Sequence, residues 1–237
     1  MRALLAGLVL FFVAAQAFAA DDLVNVQASD GSQVTYVLTT NGGTSAQYAV
    51  ILMPGGRGIL DPRVNANGKI AMTAGGNFLI RSRALFADGQ FVAASTDATS
   101  TPARIAAIVA DLEKRYGKLQ VYVVGTSRST EATMKLAQSM DGQVAGFVHT
   151  SSMNGIAGFD PRRLKSRNLI VYHDQDACRV TSPTNGQASH DKYGTELIVV
   201  TGGKSTGDEC EAFAHHGYNG VERDTVDKIK AWIRKSG

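Results

Sequence analysis

Ser127 lies in the stretch VYVVGTSRST, where a β-branched apolar run meets small residues and then helix-compatible ones. A hydroxyl raised on a sharp strand-to-helix turn can attack an acyl carbon when a neighbouring base takes its proton. Such a turn needs tiny side chains on both flanks, and Gly125 and Ser129 stand two before and two after. The usual residue at the second position is glycine, so Ser129 is a departure, though still a small one. A serine at this bend can equally serve as the N-cap of the following helix, as can Thr126, so the turn alone leaves both roles open. The other parts of the chemistry lie further on. NLIVYHDQDACRV carries Asp174 and Asp176 just past an apolar run, and AFAHHGYNG carries His215 and His216 before the last helical segment. Serine, acid and histidine thus follow one another in the order a nucleophile, orienting carboxylate and base take in a parallel sheet. The glycine loop in LMPGGRG follows an early apolar run and can aim backbone N–H groups at a developing oxyanion, with the Arg128 N–H as second donor.

The elements that must carry these loops are legible from patterning. VNVQAS and QVTYVLTT, separated by DGS, read as paired strands. YAVILM, FVAAST, LQVYVVG, VAGFVHT, NLIVYH and TELIVV read as further strands, most of them apolar throughout. NFLIRSRALFA reads as one helix, and residues 59–76 as loop. Pro102 to Gly117 is the clearest helix: Thr101 suits its N-cap, Pro102 its first turn and Gly117 its C-terminal cap. Ile105, Ile108, Val109, Leu112 and Tyr116 form its apolar stripe. A helix runs through Ala132, Leu136 and Met140, and another from about Val221 to Lys235, its acids early and its cations late. Trp232, with Ile229 and Ile233, belongs to that helix's core face, while Arg81, Arg83, Arg162 and Arg163 read as surface charges. Apolar strands alternating with amphipathic helices imply an α/β fold, a mostly parallel sheet covered on both faces.

Composition bounds the rest. The chain has 237 residues, 44% hydrophobic and 19% charged, which suits one domain. A net charge of only +3 without a basic run argues against a nucleic-acid partner. MRALLAGLVLFFVAAQAFAADD has the charged start, apolar run and small-residue site of a secretory signal peptide, with cleavage expected after Ala19. Residues 1–19 are therefore expected to be removed and 20–237 to form the single domain, exported to the periplasm or secreted, with no membrane attachment after cleavage. In an oxidising compartment the only two cysteines, Cys178 and Cys210, are expected to pair. His173, Asp174, Asp176, His190, Asp191, His215 and His216 match no compact ligand spacing, so neither metal nor cofactor is expected. The sequence carries no signature of oligomeric state.

From about Ala49 to Trp232 the chain resembles the α/β-hydrolase superfamily, in a compact exported form without a large lid domain. LMPGG is similar to that family's oxyanion loop, with Pro54 where a histidine is common. The resemblance implies an oxyanion donor at Gly56, with Arg57 as its neighbouring alternative. YHDQDACRV resembles the family's acid loop and selects Asp176 over Asp174; HHGYNG resembles its histidine segment and selects His216 over His215. The activity implied is hydrolysis of carboxylic esters of small acyl substrates through a Ser127–His216–Asp176 triad and an acyl-enzyme. The same triad serves peptidases, thioesterases and acyltransferases, and a non-catalytic binding protein on this fold is the alternative of a different class.

Overall fold

In a computed structural model the described residues are 19–42 and 45–235. The proposed signal segment lies outside them but for Ala19, and the first strand begins at Ala20. The chain runs β1 (Ala20–Gln27), β2 (Gln33–Thr40), β3 (Tyr48–Met53), β4 (Arg63–Val64), β5 (Ile70–Ala71), α1 (Phe78–Arg81), α2 (Arg83–Phe86), β6 (Phe91–Thr96) and α3 (Pro102–Tyr116). It continues through β7 (Gln120–Thr126), α4 (Ser129–Ser139), β8 (Gly146–Thr150), β9 (Arg167–His173), α5 (Pro183–Tyr193), β10 (Glu196–Val200) and α6 (Glu222–Arg234).

Eight strands form one sheet in the order β1-β2-β6-β3-β7-β8-β9-β10. The β1–β2 and β2–β6 pairs are antiparallel and every other pair is parallel. The central strands are buried on both faces, which is why they read as unbroken apolar runs. Successive residues of β3 divide between two cores. Ala49, Ile51 and Met53 join Ile105, Ile108 and Leu112 of α3 and Leu136 of α4; Tyr48, Val50 and Leu52 join Phe78, Leu79 and Phe86 with Val226, Ile229 and Trp232 of α6. Each fully buried aliphatic side chain in these layers contributes about 1.5–3 kcal/mol relative to exposure.

Several local expectations need correction. The segment after Asn77 is two four-residue helices, because the chain turns at Ser82. Residues 59–76 contain the small β4–β5 hairpin. Thr101 takes the N-cap backbone of α3, but its side chain makes no capping bond. The α5 helix was not legible: PTNGQASHDKY combines proline, glycine and short polar residues. It is held by packing instead, since Gly186 sits where a Cβ would come within 2.9 Å of the Tyr172 ring. Arg81 and Arg83 are partly buried ion-pair partners of Glu222 and Asp21 rather than free surface charges.

Candidate active site

The parallel strands deliver their carboxyl ends to one edge, and the loops there converge. Ser127 follows β7 with φ of 54°, a left-handed conformation that a non-glycine residue adopts only when its surroundings enforce it. Both sides of the bend are tied. The Ser127 N–H donates to the Thr150 carbonyl at the end of β8 (3.0 Å), and its carbonyl accepts the N–H (2.9 Å) and hydroxyl (2.6 Å) of Thr130 in α4. Neither Ser127 nor Thr126 caps α4, whose N-cap position is Arg128 and has no side-chain cap. The capping role left open by the sequence is thus not the one these side chains play.

Close packing explains the flanking residues. A Cβ on Gly125 would come within 2.8 Å of Thr133 Cγ2, and one on Gly55 within 2.9 Å of Ser127 Cβ. Ser129 is more than a tolerated stand-in for glycine. Its buried hydroxyl accepts the Thr126 N–H at 2.7 Å and shares its proton between the carbonyls of Met53 and Thr126, both at 2.9 Å. It thereby stitches the end of β3 to the bend.

Asp176 is buried in the loop after β9, and His216 in a short 3-10 turn, His215–Gly217, ahead of α6. Nδ1 of His216 lies 3.0 Å from Asp176 Oδ2. The same carboxylate oxygen accepts the Thr181 hydroxyl at 3.1 Å, and Oδ1 accepts the Cys178 N–H at 3.0 Å. Thr181 Oγ1 is also 3.1 Å from His216 Nδ1, closing a three-membered polar cluster. The alternatives separate cleanly: the His215 ring stacks on His173 (centroids 4.5 Å apart), and Asp174 lies beside His173 Nδ1 at 3.2 Å. His173 is itself committed, accepting the Gln175 N–H and bonding the Gly202 carbonyl.

The turn carrying His216 is anchored by residues with no sequence signal. Ser151, itself at φ of 41°, donates its hydroxyl to the His216 carbonyl at 2.7 Å. The Tyr218 hydroxyl accepts the Ser151 N–H and donates to the Val171 carbonyl, both at 2.9 Å, and burial holds the phenol well above its ordinary pKa. Arg81 donates to the Gly217 carbonyl (2.6 Å) and to Glu222 of α6. The disulfide between Cys178 and Cys210, 32 positions apart in sequence, joins the Asp176 loop to the segment leading to His216.

Ser127 and His216 line one cavity of about 530 Å³, together with Gly55, Gly56, Asn77 and Arg128. Among the described residues the Ser127 hydroxyl has no hydrogen-bond partner, so it and His216 share the cavity without a direct bond. Such bonds are often long in unliganded sites and tighten around substrate. The N–H groups of Gly56 and Arg128 likewise donate to no other group among the described residues. Asn77 also lines this cavity, with no local sequence signal to mark it. Its Oδ1 accepts the Leu79 N–H, which leaves Nδ2 unpaired at 3.6 Å from the Cβ position of Gly55. Asp176, Cys178 and His216 hold ligand-type atoms within 4.8 Å of one another, but the Cys178 sulfur is consumed by the disulfide. That set does not suit a metal.

No protein-family model and no curated protein matches the chain. Solved structures do match. A cold-adapted esterase from an Arctic intertidal metagenomic library is 15% identical, with a TM-score of 0.61 over 90% of this chain and 94% of that one. The esterase domain of a Rhodothermus marinus protein is 10% identical, with a TM-score of 0.63 over 92% and 100%. The chain has the α/β-hydrolase fold. A third solved structure, a member of the α/β serine hydrolases without lid from Xanthomonas campestris, is 9% identical with a TM-score of 0.57 over 88% of this chain and 94% of that one. Among the described residues of the present α/β-hydrolase fold no inserted domain covers the cavity either; its rim is formed by loops that include Thr73, Val180 and Phe213. No helix of the described residues is long and apolar enough to cross a membrane.

Proposed function

We propose that this protein is an exported serine hydrolase that cleaves carboxylic esters through Ser127, His216 and Asp176. The observation that carries the reading is the convergence of a strained serine and a carboxylate-bound histidine on one cavity. The Ser127 hydroxyl attacks the ester carbonyl while His216 Nε2 takes its proton; the resulting imidazolium then protonates the departing alcohol. Water attacks the acyl-enzyme by the same route and releases the acid. Asp176 fixes the imidazole tautomer through Nδ1 and stabilises the imidazolium, and Thr181 fixes the carboxylate. The free N–H groups of Gly56 and Arg128 stabilise the oxyanion, and Asn77 Nδ2 adds a side-chain donor. The open rim suits accessible acyl substrates, and the disulfide fits an oxidising compartment.

A fluorophosphonate probe tests the class. Stoichiometric labelling at Ser127, lost in Ser127→Ala, is expected; folded protein that resists labelling would instead indicate a binding protein. Screening nitrophenyl esters, thioesters and peptides then orders the acyl substrates, with His216→Ala expected to abolish turnover.

A further inference from the structure

A second cavity, of about 220 Å³, adjoins the first and shares Gly56 and Arg128 with it. Arg57, Arg128 and Lys135 bring three cations to its lining, against the single carboxylate of Glu131. None of these three cations has a hydrogen-bond or ion-pair partner for its side chain among the described residues. This contrasts with Arg81 and Arg83 near the same edge of the sheet, each of which is paired to a carboxylate. Three exposed, unpaired cations around one exposed acid leave the mouth of the cavity with a net positive field that draws an entering anion. The cavity also opens beside the first turn of α4, an 11-residue helix without a side-chain cap, whose dipole has the same sign.

We propose that this second cavity is a subsite for an anionic group, such as a carboxylate, carried by the substrate a few bonds from the scissile ester. This rests on the ester-hydrolase reading and narrows it to acidic esters. Arg128 lines both cavities, and neither its N–H nor its guanidinium is bonded among the described residues, so one can serve the oxyanion and the other the anion.

The test compares matched pairs of esters on the mature protein: 4-nitrophenyl hemisuccinate against 4-nitrophenyl butyrate for an acid on the acyl arm, and 4-carboxyphenyl butyrate against phenyl butyrate for one on the leaving arm. The variants are Lys135→Glu and Glu131→Gln, neither in the catalytic machinery. Lys135→Glu is expected to lower kcat/KM for at least one acidic ester by about three- to tenfold, mainly through KM, and Glu131→Gln to raise it about twofold, as changes of two charges and of one charge in a largely aqueous setting would do. The neutral esters should be unaffected. Acidic and neutral partners responding in parallel in both variants would overturn the subsite and leave the hydrolase standing. If no ester is cleaved, the hydrolase reading falls and the subsite is read by titration with glutarate: amide shifts at Gly58 and Lys135 that Lys135→Glu abolishes support it, and unmoved amides refute it.

Discussion

Replacing Asn77 by serine separates the two jobs its side chain holds. Oδ1 accepts the Leu79 N–H at 3.1 Å and so caps the first short helix. That bond fixes which end of the amide is which, and Nδ2 faces the cavity beside Gly55 and Ser127. Serine caps about as well as asparagine, so Asn77→Ser should leave unfolding free energy within about 0.5 kcal/mol. It lacks the reach and the N–H of the amide. A well-enclosed oxyanion donor is worth roughly 2.7–4 kcal/mol. Asn77 is only partly buried, in a cavity open to water, and the two backbone donors remain. About 1.4–2.8 kcal/mol is therefore expected, a ten- to hundredfold fall in kcat with KM little changed. Asn77→Ala serves as the control, losing in addition about 1 kcal/mol of cap. Steady-state kinetics on 4-nitrophenyl butyrate, beside urea unfolding of the same samples, decides it. Wild-type kcat in Asn77→Ser, or a loss seen only in KM, would refute a role for this amide in stabilising the transition state.

Three further outcomes follow from the same contacts. Ser129→Ala removes the partner of the Thr126 N–H and the Met53 carbonyl in a buried setting, so urea unfolding should register a loss of about 1–3 kcal/mol; an unchanged midpoint would mean that the hydroxyl is dispensable. Reducing Cys178–Cys210 should cost about 3–4 kcal/mol in the chain-entropy account, and hydrolysis should fall at lower reductant than circular dichroism does; parallel loss would deny the bond its local role at the acid loop. Burial depresses the pKa of His149 from 6.5 to about 4. The unfolded chain therefore takes up this proton first, and stability falls as pH drops from about 6.5 to 4, by roughly 3 kcal/mol. A His149→Gln variant should lack that part of the slope; identical pH dependence of the two unfolding curves would contradict it.

The sheet was legible because its central strands are apolar on both faces, and α3 because its stripe keeps a helical period between proline and glycine. The serine, acid and histidine loops were legible for the same reason, as each directly follows a strong strand or precedes a strong helix. What escaped detection depends on tertiary placement. Nothing local marks Thr181 as the partner of Asp176, Ser151 as the anchor of the His216 carbonyl, or Arg81 as a link between Gly217 and α6. Each is a common polar residue whose role exists only once distant loops meet. The α5 helix escaped for a related reason: its sequence is a poor helix former, and contact with β9 supplies what propensity does not. At Ser129 the departure from glycine marked a polar bridge, which only the neighbouring Met53 carbonyl reveals.

Four non-glycine residues among those described have left-handed backbones, and three of them, Ser127, Ser151 and Tyr218, carry or brace the proposed chemistry. Each such distortion stores on the order of 1–3 kcal/mol, held in check only by the surrounding bonds. The candidate site is thus the part of the molecule with most to gain by letting go. Gentle warming should loosen it while the two cores beneath stay intact, so that the protein falls catalytically silent some degrees before it melts.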